Sequence, residues 1–485
     1  MGYPEGAMLF AFSFFINATA NFALGLALSA ILGPAEFGRY ATVQLAALTL
    51  AVGTLDWLRL STLRFGGDDT QRVAVGSSLE AGYLALMGLG YAVVVALAAF
   101  GVTFGLGATL LLLTPLLAVA AHRLDFMAAR FRAREEARAF AGIYGLRQLF
   151  YFTAVLAVAW FTRNAAYTVG ALAAANLTAA VIFSKRARIE GAALRHASPA
   201  RIKTFLVYAK PIVFSLVLYS LVLLINRQIA LSHLGAEATG KLSLAVDLGQ
   251  RLFGVANTLP ELMLFQYALK LDRTEGRVAA QAQLSRNISL SLGFLAPLAA
   301  GYAVLAPTLE AVLAPPAYRG AFASLSAELA PGYFGLFAIM SAISPLFQFK
   351  GATWQLSAAA VLALAVDVAL VTFTPLSSTI DGLAIATSLS LLAGMGATAF
   401  AAFFVSPVRP RALDLAVIAA ATASLCALVR PLNAWPSHIV AAGAAVAIAG
   451  ALLATSYLAF DVGGLRTYAL QTWRRRGQRL SMKEA

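Results

Sequence analysis

The chain has 485 residues, 60% of them hydrophobic and only 12% charged, with a formal net charge of +14. That charged share is about half of what a soluble domain carries, which excludes a water-soluble protein and makes the location of the positive charge more informative than its sum. A single cysteine, Cys426, excludes an internal disulfide, and the four scattered histidines offer no metal-ligand spacing.

The expected fold is all-α and polytopic, with fourteen transmembrane helices at 8–33, 40–62, 78–100, 103–122, 139–162, 165–184, 204–233, 238–265, 284–306, 328–349, 353–374, 381–405, 412–430 and 437–460. The first apolar run lacks a basic leader and a small-residue cleavage site, so it is expected to remain as a helix. It leads into "LGPAEFGRYA" (32–41), and the second helix carries Asp56, Arg59 and Arg64 near its far end. Leu79 to Ala121 is almost continuously apolar. As one helix it would run about 65 Å, twice the ~30 Å of bilayer hydrocarbon, so it must fold back. The glycine-rich "FGVTFGLG" (100–107) is the expected hairpin, and "TPLSSTID" (374–381), with Pro375, separates a later pair.

A second decapeptide, "LGAEATGKLS" (234–243), opens like a phosphate-binding loop. That loop needs a hydroxyl after the lysine, where Leu242 stands, and a preceding strand, where an apolar run stands. Leu234, Gly235, Gly240 and Lys241 instead match Leu32, Gly33, Gly38 and Arg39. Both decapeptides are expected to be helix-to-helix turns, one glycine ending a helix and the other letting the next begin close by. An even number of helices separates them, so the halves are parallel repeats. Such repeats imply lobes at 1–184 and 204–405, a basic linker at 185–203, added helices at 406–460 and a basic tail at 461–485.

Positive charge supports this threading. Arg39, Arg163, Lys241, Arg319 and Arg430 fall on one side, and Arg147, Lys210, Arg227 and Arg251 fall within helices. Every other lysine and arginine collects on the opposite side, which is read as cytoplasmic together with both termini. The basic stretches "RFRAREEAR" (130–138), "SKRARIEGAALR" (184–195) and "TWRRRGQR" (472–479) are read as topology signals that adhere to anionic lipid.

Charges at membrane depth are costly and tend to mark function. Arg251 lies near the middle of the eighth helix, and Asp247, four residues earlier, is placed to pair with it. Arg147, Arg227 and Asp367 are the other deep charges. Each has a structural alternative: snorkelling for Arg59, Arg64 and Lys210, a structural Asp247–Arg251 pair, helix bridging for Arg147 and Arg227, and a protonated Asp367. Because arginines outnumber carboxylates at depth, a cationic cavity suited to phosphate or carboxylate is expected.

The motif "LGPAEFGRYA", after a first helix rich in asparagine and small residues ("FFINATANFALGLALSAILG", 14–33), resembles Wzx-type polysaccharide flippases. So does "FLVYAKPIVFSLVL" (205–218), at the start of the second half. These flippases belong to the multidrug/oligosaccharidyl-lipid/polysaccharide (MOP) exporter superfamily. The resemblance implies two six-helix lobes around a cavity, no enzymatic activity and no cofactor. It implies that an undecaprenyl-diphosphate-linked oligosaccharide is turned from the cytoplasmic to the periplasmic leaflet of a bacterial inner membrane, for surface or exopolysaccharide synthesis. Cationic residues on the second and eighth helices, where Arg59 and Arg251 stand, are part of that expectation. Arg59, Arg147, Arg227 and Arg251 are the candidates for binding the diphosphate or acidic sugars, and Asp56, Asp247 and Asp367 for ion coupling. The partners implied are membrane lipids, a polysaccharide polymerase and other assembly proteins, with no nucleic acid and no metal. A drug or cation antiporter of the same superfamily, a membrane-embedded glycan ligase and a peptidoglycan-precursor flippase are the alternatives. The first predicts an acidic cavity, and the second predicts long external loops, whereas the longest connection outside is 307–327.

Overall fold

The structure, a computed structural model, describes residues 5–66, 72–99, 105–188, 194–468 and 470. It is all-helical, with no strand among the described residues. In lipid a backbone must satisfy its own hydrogen bonds, and a helix does so within one segment. Twelve helices among the described residues are long and apolar enough to cross a membrane. One of these spans covers Phe12–Thr54, or 43 residues. At 1.5 Å per residue it would be about 65 Å long, far more than one crossing needs. It lies in α1 (Glu5–Thr54), which leaves helical geometry at Gly33.

Two compact units divide the chain: Met1–Arg251 with Ala363–Thr387, and Leu252–Leu362 with Ser388–Ala485. The first contains α1, α2 (Asp56–Phe65), α3 (Arg72–Ala99), α4 (Ala108–Ala133), α5 (Ala137–Phe150), α6 (Leu156–Thr162), α7 (Ala165–Ala187), α8 (Pro199–Ile229) and the start of α9 (Ala236–Thr274). One buried cluster, with Leu124, Met127, Phe131, Phe140, Ile143 and Ala179, ties α4 to α5 and α7. Another, with Trp57, Leu79, Tyr83, Phe126, Phe205 and Ala209, ties α2 and α3 to α4 and α8.

The second unit contains α10 (Arg277–Val304), α11 (Ala306–Leu313), α12 (Phe322–Ala338), α13 (Ser344–Lys350), α16 (Ala412–Val429) and α17 (His438–Ala459), with parts of α9, α14 (Trp354–Phe373) and α15 (Ile380–Val405). Its α10 packs on α12 and α16. Phe253 sits among Tyr302, Tyr333 and Phe337 with ring centroids 5.7, 5.4 and 5.8 Å away. Tyr457 donates to the Gly293 carbonyl at 2.6 Å.

The basic stretch at 130–138 is more ordered than a loop. Arg130 and Arg132 lie in the last turn of α4, which runs to Ala133, and cations there face the negative end of the helix dipole. Of the expected hairpin at 100–107, residues 100–104 lie outside the described residues, as do 189–193 of the linker and the tail stretch 472–479.

The repeated decapeptide has the same geometry in both copies. Gly33 has φ 70° and ψ 170°, and Gly235 has φ 92° and ψ 169°. Only glycine adopts that region without strain. The next helical segment starts at once, with Pro34 preset for a first helical position in one copy. One turn further on, the second glycines meet. A Cβ built on Gly38 would lie 2.7 Å from the Gly240 nitrogen, and one on Gly240 would lie 2.9 Å from Pro34 Cα. Lys241 sits 2.8 Å from Glu237. This hydrogen bond and the lysine's charge hold the Glu237 carboxyl below its ordinary range, so the lysine serves a carboxylate. In the first copy Glu36 pairs with Arg39 at 2.7 Å and accepts from the Ala165 amide at the start of α7.

Gly33→Ala should therefore cost about 1–3 kcal/mol, read as a lower melting temperature of the purified protein. Gly170→Ala is the control, because Gly170 has ordinary helical φ and nothing within 4 Å of a new Cβ. An unchanged melt for Gly33→Ala would mean that the turn relaxes freely.

Candidate functional site

Within the first unit, polar side chains of α1, α5 and α9 converge. Asn17, Asn21 and Gly25 are spaced by four residues along α1 and so share one face of that helix. From α5, Arg147 donates through Nη2 to Asn17 Oδ1. Gln148 Nε2 donates to Asn17 Oδ1 at 2.7 Å and to Asn21 Oδ1 at 3.2 Å. From α9, Arg251 donates through Nη1 to the Asn21 carbonyl. Gly25 makes room for that approach, since a Cβ there would fall 2.6 Å from Arg251 Nη1. Arg147 and Arg251, far apart in sequence, thus reach α1 one turn apart, Arg147 at the Asn17 side chain and Arg251 at the Asn21 main-chain carbonyl. The spacing of four between Asn17 and Asn21 was the available signal.

Arg147 is 7% exposed and otherwise held by aromatics. Its guanidinium lies 4.6 Å from the Tyr144 ring centroid and 5.5 Å from that of Tyr151. Tyr144 donates to Asp125 Oδ1 at 3.0 Å, and Arg147 Nη1 comes within 3.7 Å of the same oxygen. Tyr151 donates to Asn176 at 3.1 Å, where the chain begins a π-helical turn, Tyr151–Val155. Such turns cluster at functional positions because they rotate the side chains that follow.

The expected Asp247–Arg251 pair does not form. Asp247 binds Arg227 Nη2 instead, although Arg227 is 20 residues away in sequence. Arg227, 1% exposed, also donates through Nη1 to the Ala41 carbonyl at 3.0 Å. The i,i+4 relation puts Asp247 and Arg251 on one face. Burial of Arg227 imposes the stronger demand, because an enclosed cation without a counterion is costly. Next to Arg227, Asn226 donates to Asp367 Oδ1 at 2.8 Å, and Asp367 is fully buried.

Arg59 is held by Asp56 in a two-pronged pair, 2.5 Å from Nε and 2.9 Å from Nη2. Three of the four expected arginines thus face carboxylates: Arg59 with Asp56, Arg147 with Asp125 and Arg227 with Asp247. The expected excess of cations at depth reduces to Arg251, which has no carboxylate partner among the described residues. Its fork has five N–H donors, one of which goes to the Asn21 carbonyl.

No protein-family model matches the chain, and no curated protein matches it. Solved structures do. MurJ, a lipid II flippase, in an inward closed conformation, is similar with a TM-score of 0.72 at 12% identity, over 93% of this chain and 98% of that one. An inward-facing multidrug resistance MATE family transporter of the MOP superfamily gives 0.56 at 15% identity, over 80% of this chain and 95% of that one. An outward-facing MATE structure gives 0.51 at 14% identity, over 83% and 96%. The chain shares the fold of these transporters.

Proposed function

We propose that this chain, built on the fold of the MOP transporters, flips an undecaprenyl-diphosphate-linked oligosaccharide from the cytoplasmic to the periplasmic leaflet for surface or exopolysaccharide synthesis. The observation that carries this reading is Arg251, a half-buried guanidinium without a carboxylate partner among the described residues, resting on Asn21 in the space left by Gly25. Away from bulk water its attraction to a diphosphate is strengthened, and its planar fork matches phosphate oxygens. Arg147, hydrogen-bonded to Asn17 one turn before Asn21, and Arg59, partly exposed, are the next contacts for diphosphate or acidic sugars. The geometry favours Arg227 as the residue that holds Asp247 in place.

The chain then has fourteen crossings, with α1 divided at Gly33 and α9 counted as one. Lobes at 1–184 and 204–405 alternate access, and both termini lie in the cytoplasm of a bacterial cell. Asp56, Asp247 and Asp367 are the carboxylates for ion coupling, since protonation would loosen Arg59, Arg227 and Asn226. A polysaccharide polymerase is the natural downstream partner.

Arg251→Ala should abolish surface glycan assembly while the protein remains folded and membrane-inserted, with the lipid-linked intermediate accumulating. Arg251→Lys, which keeps charge but loses the fork, should recover part of the output. Normal glycan from a stable Arg251→Ala protein would refute the assignment. The likeness to MurJ, which covers more of this chain than the MATE structures, favours one second reading, a flippase for a peptidoglycan precursor. Mass spectrometry of the accumulating lipid separates the two.

A further inference from the structure

A second polar constellation lies in the first unit, away from the asparagine face of α1. Between α3, α4 and α7 is a cavity of about 410 Å³ whose lining includes Ser77, Glu80, Arg123, Arg130, Lys185 and Arg188. That volume falls within the range of ligand pockets, roughly 300–1,000 Å³. Four cations there face one carboxylate, leaving the lining strongly positive.

The deep wall is preorganised. Arg123 and Arg130 stand seven residues apart on α4, two turns along one face. Glu80 reaches both, Oε1 to Arg123 and Oε2 to Arg130, each at 2.7 Å. Rings support the two guanidiniums: Arg123 lies 5.0 Å from the Tyr83 centroid and Arg130 lies 4.3 Å from that of Phe126. Arg130 is 7% exposed, and its Nε–H has no hydrogen-bond acceptor among the described residues. At the mouth, Lys185 and Arg188 are exposed and carry no ion pair among the described residues.

We propose that this cavity binds a phosphate group, carried either by an anionic phospholipid headgroup or by a soluble phosphate compound. A single carboxylate already uses one edge of the arginine pair, so the remaining positive charge calls for a ligand with more than one acceptor oxygen. Tetrahedral phosphate supplies those oxygens to the guanidinium forks and to the Lys185 ammonium. The basic last turns of α4 and α7 flank the site, where an anionic headgroup would concentrate on the cytoplasmic leaflet.

The test uses the full purified chain with phosphatidylglycerol, phosphatidylcholine and inorganic pyrophosphate as probes. Native mass spectrometry should show one phosphatidylglycerol retained in preference to phosphatidylcholine. Lys185→Ala with Arg188→Ala should lower that retention roughly tenfold, at an unchanged melting temperature because both residues are exposed. Binding of pyrophosphate without any lipid preference, lost in the same variant, would identify a soluble ligand instead. Lys270→Ala with Arg273→Ala removes equal charge elsewhere and should leave retention intact. If both double variants reduce retention equally, the effect is diffuse surface charge and the site is overturned. The same conclusion follows if the wild-type chain holds neither probe, or if Lys185→Glu with Arg188→Glu binds as the wild type does.

Discussion

Asp247→Ala is expected to destabilise the protein by about 3–5 kcal/mol, the cost of leaving a buried cation without its counterion. Arg227 is only 1% exposed, so water cannot replace the lost carboxylate, and the Ala41 carbonyl supplies only a partial charge. The measurement is thermal loss of the monodisperse species in detergent. A second variant isolates the cause. Arg227→Met together with Asp247→Ala removes both charges and should recover most of the loss, because an apolar replacement of a buried pair is often neutral. Asp56→Ala supplies the contrast in magnitude. Arg59 keeps 35% of its side chain exposed, so its charge is less completely desolvated than that of Arg227 and the loss should be clearly smaller. Equal losses for Asp247→Ala and Asp56→Ala would show that burial of Arg227 has been misjudged.

Gly240→Val should be comparably damaging. A Cβ at Gly240 would lie 2.9 Å from Pro34 Cα and closer still to the Pro34 carbonyl carbon and oxygen. These are backbone atoms, so no side chain can swing aside, and the two turns must separate. Overpacking costs about 1–3 kcal/mol where side chains can adjust; here the cost should reach or exceed the top of that range. Gly240→Ala should show a smaller effect of the same sign, and Gly38→Ala should match it from the other side of the contact. A Gly240→Val protein that melts with the wild type would mean the turns are not in contact.

Much of the site was hidden in the sequence for a specific reason. Arg251 was legible because an arginine in the middle of an apolar run is conspicuous, and Asp367 for the same reason. Their partners were not. Asn226 lies 141 positions from Asp367, and Asn21 lies 230 from Arg251. Asn17 and Asn21 carry no charge, so they do not stand out as deep ionisable groups do, yet the Asn17 side chain accepts from Arg147 and the Asn21 main-chain carbonyl accepts from Arg251 one turn further along α1. Asp125, beside Tyr144 and Arg147, falls in sequence into the basic connection after a helix expected to end at 122, whereas α4 extends to Ala133 and carries it.

Composition and order alone were enough for the all-helical membrane class, for the sidedness of the basic residues as an expectation, and for the two glycine turns. These features depend on local or summed properties: apolar length against bilayer thickness, charge against threading, and backbone freedom at single positions. Packing decided which arginines are compensated. Asp247 was one helical turn from Arg251 and could have served it, but the fold brings Arg227 to the same carboxylate and buries it there. Desolvation depends on what surrounds a group in three dimensions, so which of Arg59, Arg147, Arg227 and Arg251 lacks a carboxylate partner among the described residues emerges only when the helices are assembled.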